Sequence, residues 1–210
     1  MLVQLPALLD LLAIATGALF GAAVAVSRKA PLLGVMTLGV LMGLGGGMIR
    51  DVLLDVPVEA LHNDWFLPTA VGAALLGLPL ARRITEHPYI GLGLDGISLG
   101  MFVMVGTEKA TLLGYSSSSA ILIGMITAIG GGTIVDLMVG ERPTVMKLGP
   151  WFASAAFVGA AVFVVLYPFM LTGVVEIITV VVVAALRFTS ERLGYAAPSV
   201  ETLRKLKFRG

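Results

Sequence analysis

Long apolar runs alternate with short polar ones along the whole chain. A helix that crosses a bilayer takes about 20 mostly apolar residues, and seven runs meet or approach that length: 6–26, 32–53, 66–81, 90–107, 119–139, 150–168 and 172–189. The third is the shortest. Charged and turn-forming residues collect between the runs, at Arg28-Lys29-Ala30-Pro31, Asp55 to Asp64, Arg82 to Pro88, Glu108 to Ser119 and Glu141 to Pro150. A tight turn near Pro168 to Gly173 joins the last two. No basic residue precedes the first run, which predicts a retained first helix rather than a cleaved leader. The pattern predicts an all-α membrane protein with seven transmembrane helices.

Composition agrees. Of 210 residues 58% are apolar and 13% charged, with a mean hydropathy of +0.99, whereas a soluble domain carries about 25% charged residues. One small core cannot hide that much apolar surface, so a soluble globular domain is excluded, and disorder with it. The absence of cysteine excludes disulfides, thiolate metal sites and cysteine nucleophiles.

The net charge of +1 says little, but its distribution sets an orientation. Seven crossings put the termini on opposite sides. The face with the C-terminus holds Arg28, Lys29, Arg82, Arg83, Arg142, Lys147, Arg187, Arg192, Arg204, Lys205, Lys207 and Arg209; the other holds only Arg50 and Lys109. The bias predicts a cytoplasmic C-terminus, an outside N-terminus and a cell-membrane location. The segment 190–210 reads as a solvated basic tail.

The chain also contains itself twice. Gly45-Gly46-Gly47-Met48-Ile49-Arg50-Asp51 recurs 85 residues later as Gly130-Gly131-Gly132-Thr133-Ile134-Val135-Asp136. The same offset carries Asp10 onto Asp95, and an offset of 86 carries Trp65-Phe66 onto Trp151-Phe152. Marks in three successive helices repeat in order. This predicts a three-helix unit at 5–83, a second at 89–168, an unpaired seventh helix at 172–189 and the tail. Three is odd, so the second unit enters the membrane from the opposite face, as an inverted repeat.

Glycine is about 1 kcal/mol worse than alanine in a helix, and lipid tolerates a broken backbone only beside protein or water. Two triple glycines in the middle third of the second and fifth runs therefore predict helix breaks whose freed carbonyls line a polar path. The competing reading is close helix packing through small residues four apart, as in Gly39, Gly43 and Gly47, in Gly17 and Gly21, and in Gly96 and Gly100. On the path reading, bulky residues at Gly46 or Gly131 cut flux more than assembly.

Ionisable residues within spans point to function by default. Asp51 and Asp136 each follow the last glycine by four residues, towards opposite mouths, where carboxylates concentrate cations. Arg50, whose counterpart is Val135, pairs with a carboxylate or plugs the path. Asp10 and Asp95 lie near helix starts, where negative charge suits the helix dipole. Lys109 beside Glu108 reads as an interfacial pair or part of a mouth, and Glu176 as an interfacial or functional residue. His62 and His87 fall on opposite faces and cannot share a metal. No catalytic arrangement and no nucleotide-binding glycine pattern stands out, so an enzyme, a cofactor site and nucleic-acid binding are all unsupported.

With GGGMIRDVL in the second run, GGGTIVDLMVG in the fifth and a three-plus-three-plus-one plan over residues 5 to 189, the sequence resembles prokaryotic members of the trimeric intracellular cation (TRIC) channel family. The resemblance implies a homotrimer in the lipid bilayer. It also implies one ion path per protomer, beside the kinked second and fifth helices, for potassium or another monovalent ion such as sodium. The implied path residues are Gly45, Gly46, Gly47, Gly130, Gly131, Gly132, Arg50, Asp51 and Asp136. Similar prokaryotic sequences have also been labelled glycine transporters. A secondary carrier for glycine or a similar small zwitterion therefore stands as the alternative, since inverted repeats serve carriers equally.

Overall fold

A computed structural model describes residues 4–147, 149 and 151–195; the tail from residue 196 lies outside the described residues. Among the described residues eight α-helices follow one another: α1 Gln4–Ser27, α2 Leu32–Leu53, the single turn α3 Glu59–His62, α4 Phe66–Glu86, α5 Pro88–Leu112, α6 Ser117–Met138, α7 Ala153–Leu166 and α8 Thr172–Leu193. A 3-10 turn at Thr144–Met146 precedes α7. The described residues include no strand. All seven expected spans are helices, with shifted ends. Five of them are long and apolar enough to cross a membrane.

The other two, α4 and α7, hold the third place in each repeat. The apolar part of α4 ends at Ala81, but the helix runs on through Arg82, Arg83 and Glu86. The shorter α7 keeps only 14 of the expected residues, about 21 Å at 1.5 Å per residue. By contrast α5 extends past its expected end, so that Glu108 and Lys109 lie inside the helix and not in a linker. The helix α8 likewise continues to Leu193, taking the first residues of the expected tail. It ends on Gly194 in the left-handed conformation (φ 65°), with the Tyr195 N–H donating back to the Ser190 carbonyl at 2.9 Å, a terminus that glycine adopts without a Cβ clash.

Within the first repeat α1 packs on α4 and α2; within the second α5 packs on α6 and α7. The repeats meet chiefly through α2 against α6, and α8 lies along α5. The contacts at the α2–α6 crossing are reciprocal. A Cβ on Gly46 would strike the Thr127 carbonyl oxygen, and a Cβ on Gly131 would strike that of Met42. On Gly45 it would lie 2.9 Å from Ile134 Cδ1, and on Gly130 3.0 Å from Ile49 Cδ1. Adding 85 to the first-repeat residue of each contact gives the second-repeat residue of its counterpart, which is the signature of a two-fold axis through the crossing. The turns after α2 and α6 match in the same way. Asp55 (φ 53°) corresponds to Gly140 (φ 75°). The Val56 N–H donates to the Asp51 carbonyl at 3.1 Å, and the Glu141 N–H donates to that of Asp136 at 2.9 Å. Since the left-handed region disfavours a Cβ, Asp55→Gly is expected to raise the thermal midpoint in detergent slightly, and Gly140→Val to lower it.

Candidate functional site

Both glycine runs lie inside uninterrupted α-helix. The expected breaks, with their freed carbonyls, are therefore corrected. What glycine provides here is approach. Its first two positions in each run press onto the opposing helix, where Gly46 and Gly131 meet backbone and Gly45 and Gly130 meet the end of an isoleucine side chain. With the helices in contact at this depth, packing offsets the poor propensity of glycine, and neither helix has reason to open.

The third position behaves differently. A Cβ on Gly47 would meet only Arg50 Nη2 at 3.9 Å, and one on Gly132 only Met42 Cε at 3.7 Å. Each faces a gap. Gly132 lines a partly open cavity of about 180 Å3 with Arg28, Asp95, Asp136 and Arg187. Gly47 lines a gap of about 10 Å3 with Asp10, Arg50 and Asp51, at the limit for a single water molecule. Beyond it, at the opposite end of the bundle from the first cavity, a space of about 190 Å3 is lined by Asp10, Glu59, Glu108 and Lys109. Two polar cavities thus flank the glycine crossing, one at each end.

Arg50 closes the end that Gly47 faces. It is 1% exposed. Its Nε donates to Asp51 Oδ1 at 2.8 Å and its Nη1 to Asp10 Oδ1 at 2.8 Å. Asp51 also accepts from Lys109 Nζ at 2.9 Å and from the Glu59 N–H at 3.0 Å. So Arg50, Asp51, Asp10 and Lys109, four residues from three helices, form one network. Asp51 is saturated by cations, so the expectation that it draws ions to the mouth is revised: the carboxyl groups that face the outer space are those of Asp10, Glu59 and Glu108. Glu108 also lies against Glu176 of α8. Glu59 was hidden in the sequence because it sits in a polar linker, and only the fold brings it beside Lys109.

At the other end Asp136 accepts the Thr144 N–H at 2.7 Å and the Thr144 hydroxyl at 2.9 Å. The bond repeats that of Asp51 with Glu59, eight residues on in both cases. Each carboxylate therefore organises the chain that leaves its helix. Arg28 reaches Glu141 at 2.7 Å and Asp136 at 3.9 Å. The hydrogen bond from Lys147 Nζ, with the nearby Arg28, holds the Glu141 carboxyl below its ordinary range. That link is present at neutral pH and is lost as acid protonates the carboxylate. Asp10 and Asp95 are not helix-start charges, because α1 and α5 begin six and seven residues earlier. Each is held by an arginine: Asp10 by Arg50, and Asp95 by Arg187 of α8 at 2.9 Å.

Comparison with known proteins places this arrangement. A family model described as glycine transporter matches residues 7–82 and 92–168. A UPF0126 membrane protein of Deinococcus radiodurans is 31% identical over 90% of this chain and 89% of its own length. The solved TRIC orthologue of Rhodobacter sphaeroides is 29% identical, with a TM-score of 0.76 over 90% of this chain and 96% of that one. A TRIC cation channel studied for the structural basis of conductance is 28% identical, with a TM-score of 0.80 over 95% and 97%. This chain belongs to the prokaryotic TRIC family. The TRIC fold therefore carries, in this sequence, one buried arginine network at the first repeat and a differently built bridge at the second.

Proposed function

We propose that this TRIC-family chain is a cation channel, that it passes monovalent ions with potassium foremost, and that each protomer of a homotrimer carries its own path. The observation that carries the reading is the pair of polar cavities on either side of the glycine crossing, with Arg50 filling the narrow part between them. The path runs from the space lined by Asp10, Glu59 and Glu108, past Gly47 and Arg50, to the cavity beside Gly132. In the conformation described, Arg50 and the packed glycines close it. Carboxyl groups outnumber basic groups in the outer space, three to one, which favours entry of cations. The similar solved proteins are described as trimeric cation channels, which supports the trimer and a cation as the permeant ion, while potassium follows from the family resemblance alone. The basic residues on one face support a cell-membrane location with the N-terminus outside and the C-terminus cytoplasmic.

The decisive measurement is the reversal potential of the purified protein in a planar bilayer under a potassium chloride gradient. A potential close to that of potassium is expected; one near zero or of chloride sign rejects the reading. Glu59→Gln, on a half-exposed side chain 4.0 Å from Lys109, is expected to move that potential towards zero while the protein folds normally. An unchanged potential removes Glu59 from the mouth.

A second reading has one observation in its favour. The cavity of about 180 Å3 presents both arginines and carboxylates, the groups that hold the two ends of a zwitterion, and the matching family model is described as a glycine transporter. Saturable counterflow of glycine without unitary current would establish it.

A further inference from the structure

The partly open cavity beside Gly132 and a wider, more open cavity of about 430 Å3 share three lining residues: Phe20 of α1, Asp95 of α5 and Arg187 of α8. A residue that lines two cavities stands in the wall between them. Here an ion pair closes the wall. Arg187 Nε donates to Asp95 Oδ2 at 2.9 Å, and each side chain is 12% exposed. The guanidinium is also held by Glu191, to which Nη1 donates at 2.8 Å, and it lies 5.7 Å from the centre of the Phe152 ring.

The internal symmetry explains why this arginine comes from α8. Asp95 is the counterpart of Asp10, which Arg50 holds in the first repeat. The position equivalent to Arg50 is Val135, apolar and buried. The second repeat has no cation of its own at that position, and the unpaired helix supplies one from 92 residues away. Helix α8 reaches Asp95 because Gly96 and Gly100 of α5 let it approach: Cβ atoms there would lie 3.2 Å from Ala184 Cα and 2.9 Å from the Val180 carbonyl oxygen.

The two bridges differ in what opening them entails. Arg50 is 1% exposed, so separating it from Asp10 and Asp51 leaves charges without solvent. Arg187 and Asp95 have a cavity on each side, so water can reach both charges once they part, and opening this pair costs less than opening that of Arg50. We propose that the Arg187–Asp95 bridge is a gate: its opening joins the two cavities and connects the path to the α8 end of the bundle. It moves with a helix outside the repeats, so the glycine crossing stays undisturbed. The proposal rests on the cation-channel reading.

Two measurements on the full chain test it. In bilayer recordings, Arg187→Gln and Asp95→Asn each delete the same charge-assisted bond, and each is expected to raise the ratio of open to closed time about tenfold, whereas Arg187→Lys keeps the charge and stays near the wild type. The second measurement needs no current. The chain has no cysteine, so Thr133→Cys places a single thiol in the cavity beside Gly132. A cationic methanethiosulfonate applied from the α8 end is expected to label it about tenfold faster when Arg187→Gln is added. Wild-type currents that neither substitution alters, with equal labelling rates, overturn the gate and leave the channel reading standing. Absence of unitary cation current from the wild type sinks the channel reading, and the labelling rates still decide whether the bridge divides the cavities. If Arg187→Gln fails to fold, Asp95→Asn carries both measurements. If neither folds while Arg187→Lys does, the bridge is structural and the proposal fails.

Discussion

Arg50→Met is expected to destabilise the protein by about 3–5 kcal/mol, the usual cost of removing one partner from a buried charge network. The side chain is 1% exposed and its guanidinium holds two carboxylates, Asp10 and Asp51, each at 2.8 Å. Methionine keeps much of the volume and none of the charge, so the loss comes from the carboxylates left behind. The two do not suffer equally. Asp51 retains Lys109 and the Glu59 N–H, while no other bond to Asp10 is found among the described residues. Adding Asp10→Asn to Arg50→Met is therefore expected to recover a large part of the lost stability, read as the thermal or urea midpoint in detergent. A midpoint unmoved by Arg50→Met would mean that the network is solvated and that Arg50 does not plug the path. In recordings, whatever fraction of Arg50→Met folds is expected to carry more current than the wild type, because the narrowest part of the path loses its cation.

The second large effect separates neighbours within one glycine run. Gly131→Leu is expected to abolish folding, and Gly132→Leu to leave the fold intact and remove most of the current. At Gly131 a Cβ meets the Met42 carbonyl, and a backbone in a packed helix cannot retreat. Overpacking costs about 1–3 kcal/mol where neighbours can shift, and more where they cannot. At Gly132 the nearest atom is the flexible end of Met42 at 3.7 Å, and the leucine enters the cavity of about 180 Å3. The sequence reading placed the larger loss of flux at Gly46 and Gly131. The geometry moves it one residue on, and makes the earlier positions structural. Trimer content on a sizing column together with current per protein distinguishes the two. Equal loss of fold at both positions would show that the whole run is packing and that the cavity beside it carries nothing.

The membrane class, the seven helices and their inverted duplication are legible in the residue pattern, because they depend on quantities that a chain displays locally. Apolar length sets a crossing, and the offset of 85 residues sets the symmetry. The pattern also marks Arg50, Asp51 and Asp136, since charge in an apolar run is costly wherever it stands. Three other features needed the folded molecule. Whether three glycines break a helix or dock it depends on what lies opposite, and the facing surface of α6 belongs to residues 85 positions away. Whether Asp51 attracts ions or is silenced depends on Arg50 and Lys109 reaching it together, and Lys109 lies 58 residues on. That Asp95 is answered by Arg187 follows from no local pattern at all: the second repeat has Val135 where the first has Arg50, and α8, the helix outside the duplication, lies close enough to supply the cation. Burial makes an unpaired charge expensive, so the fold brings a partner from wherever in the chain one can reach.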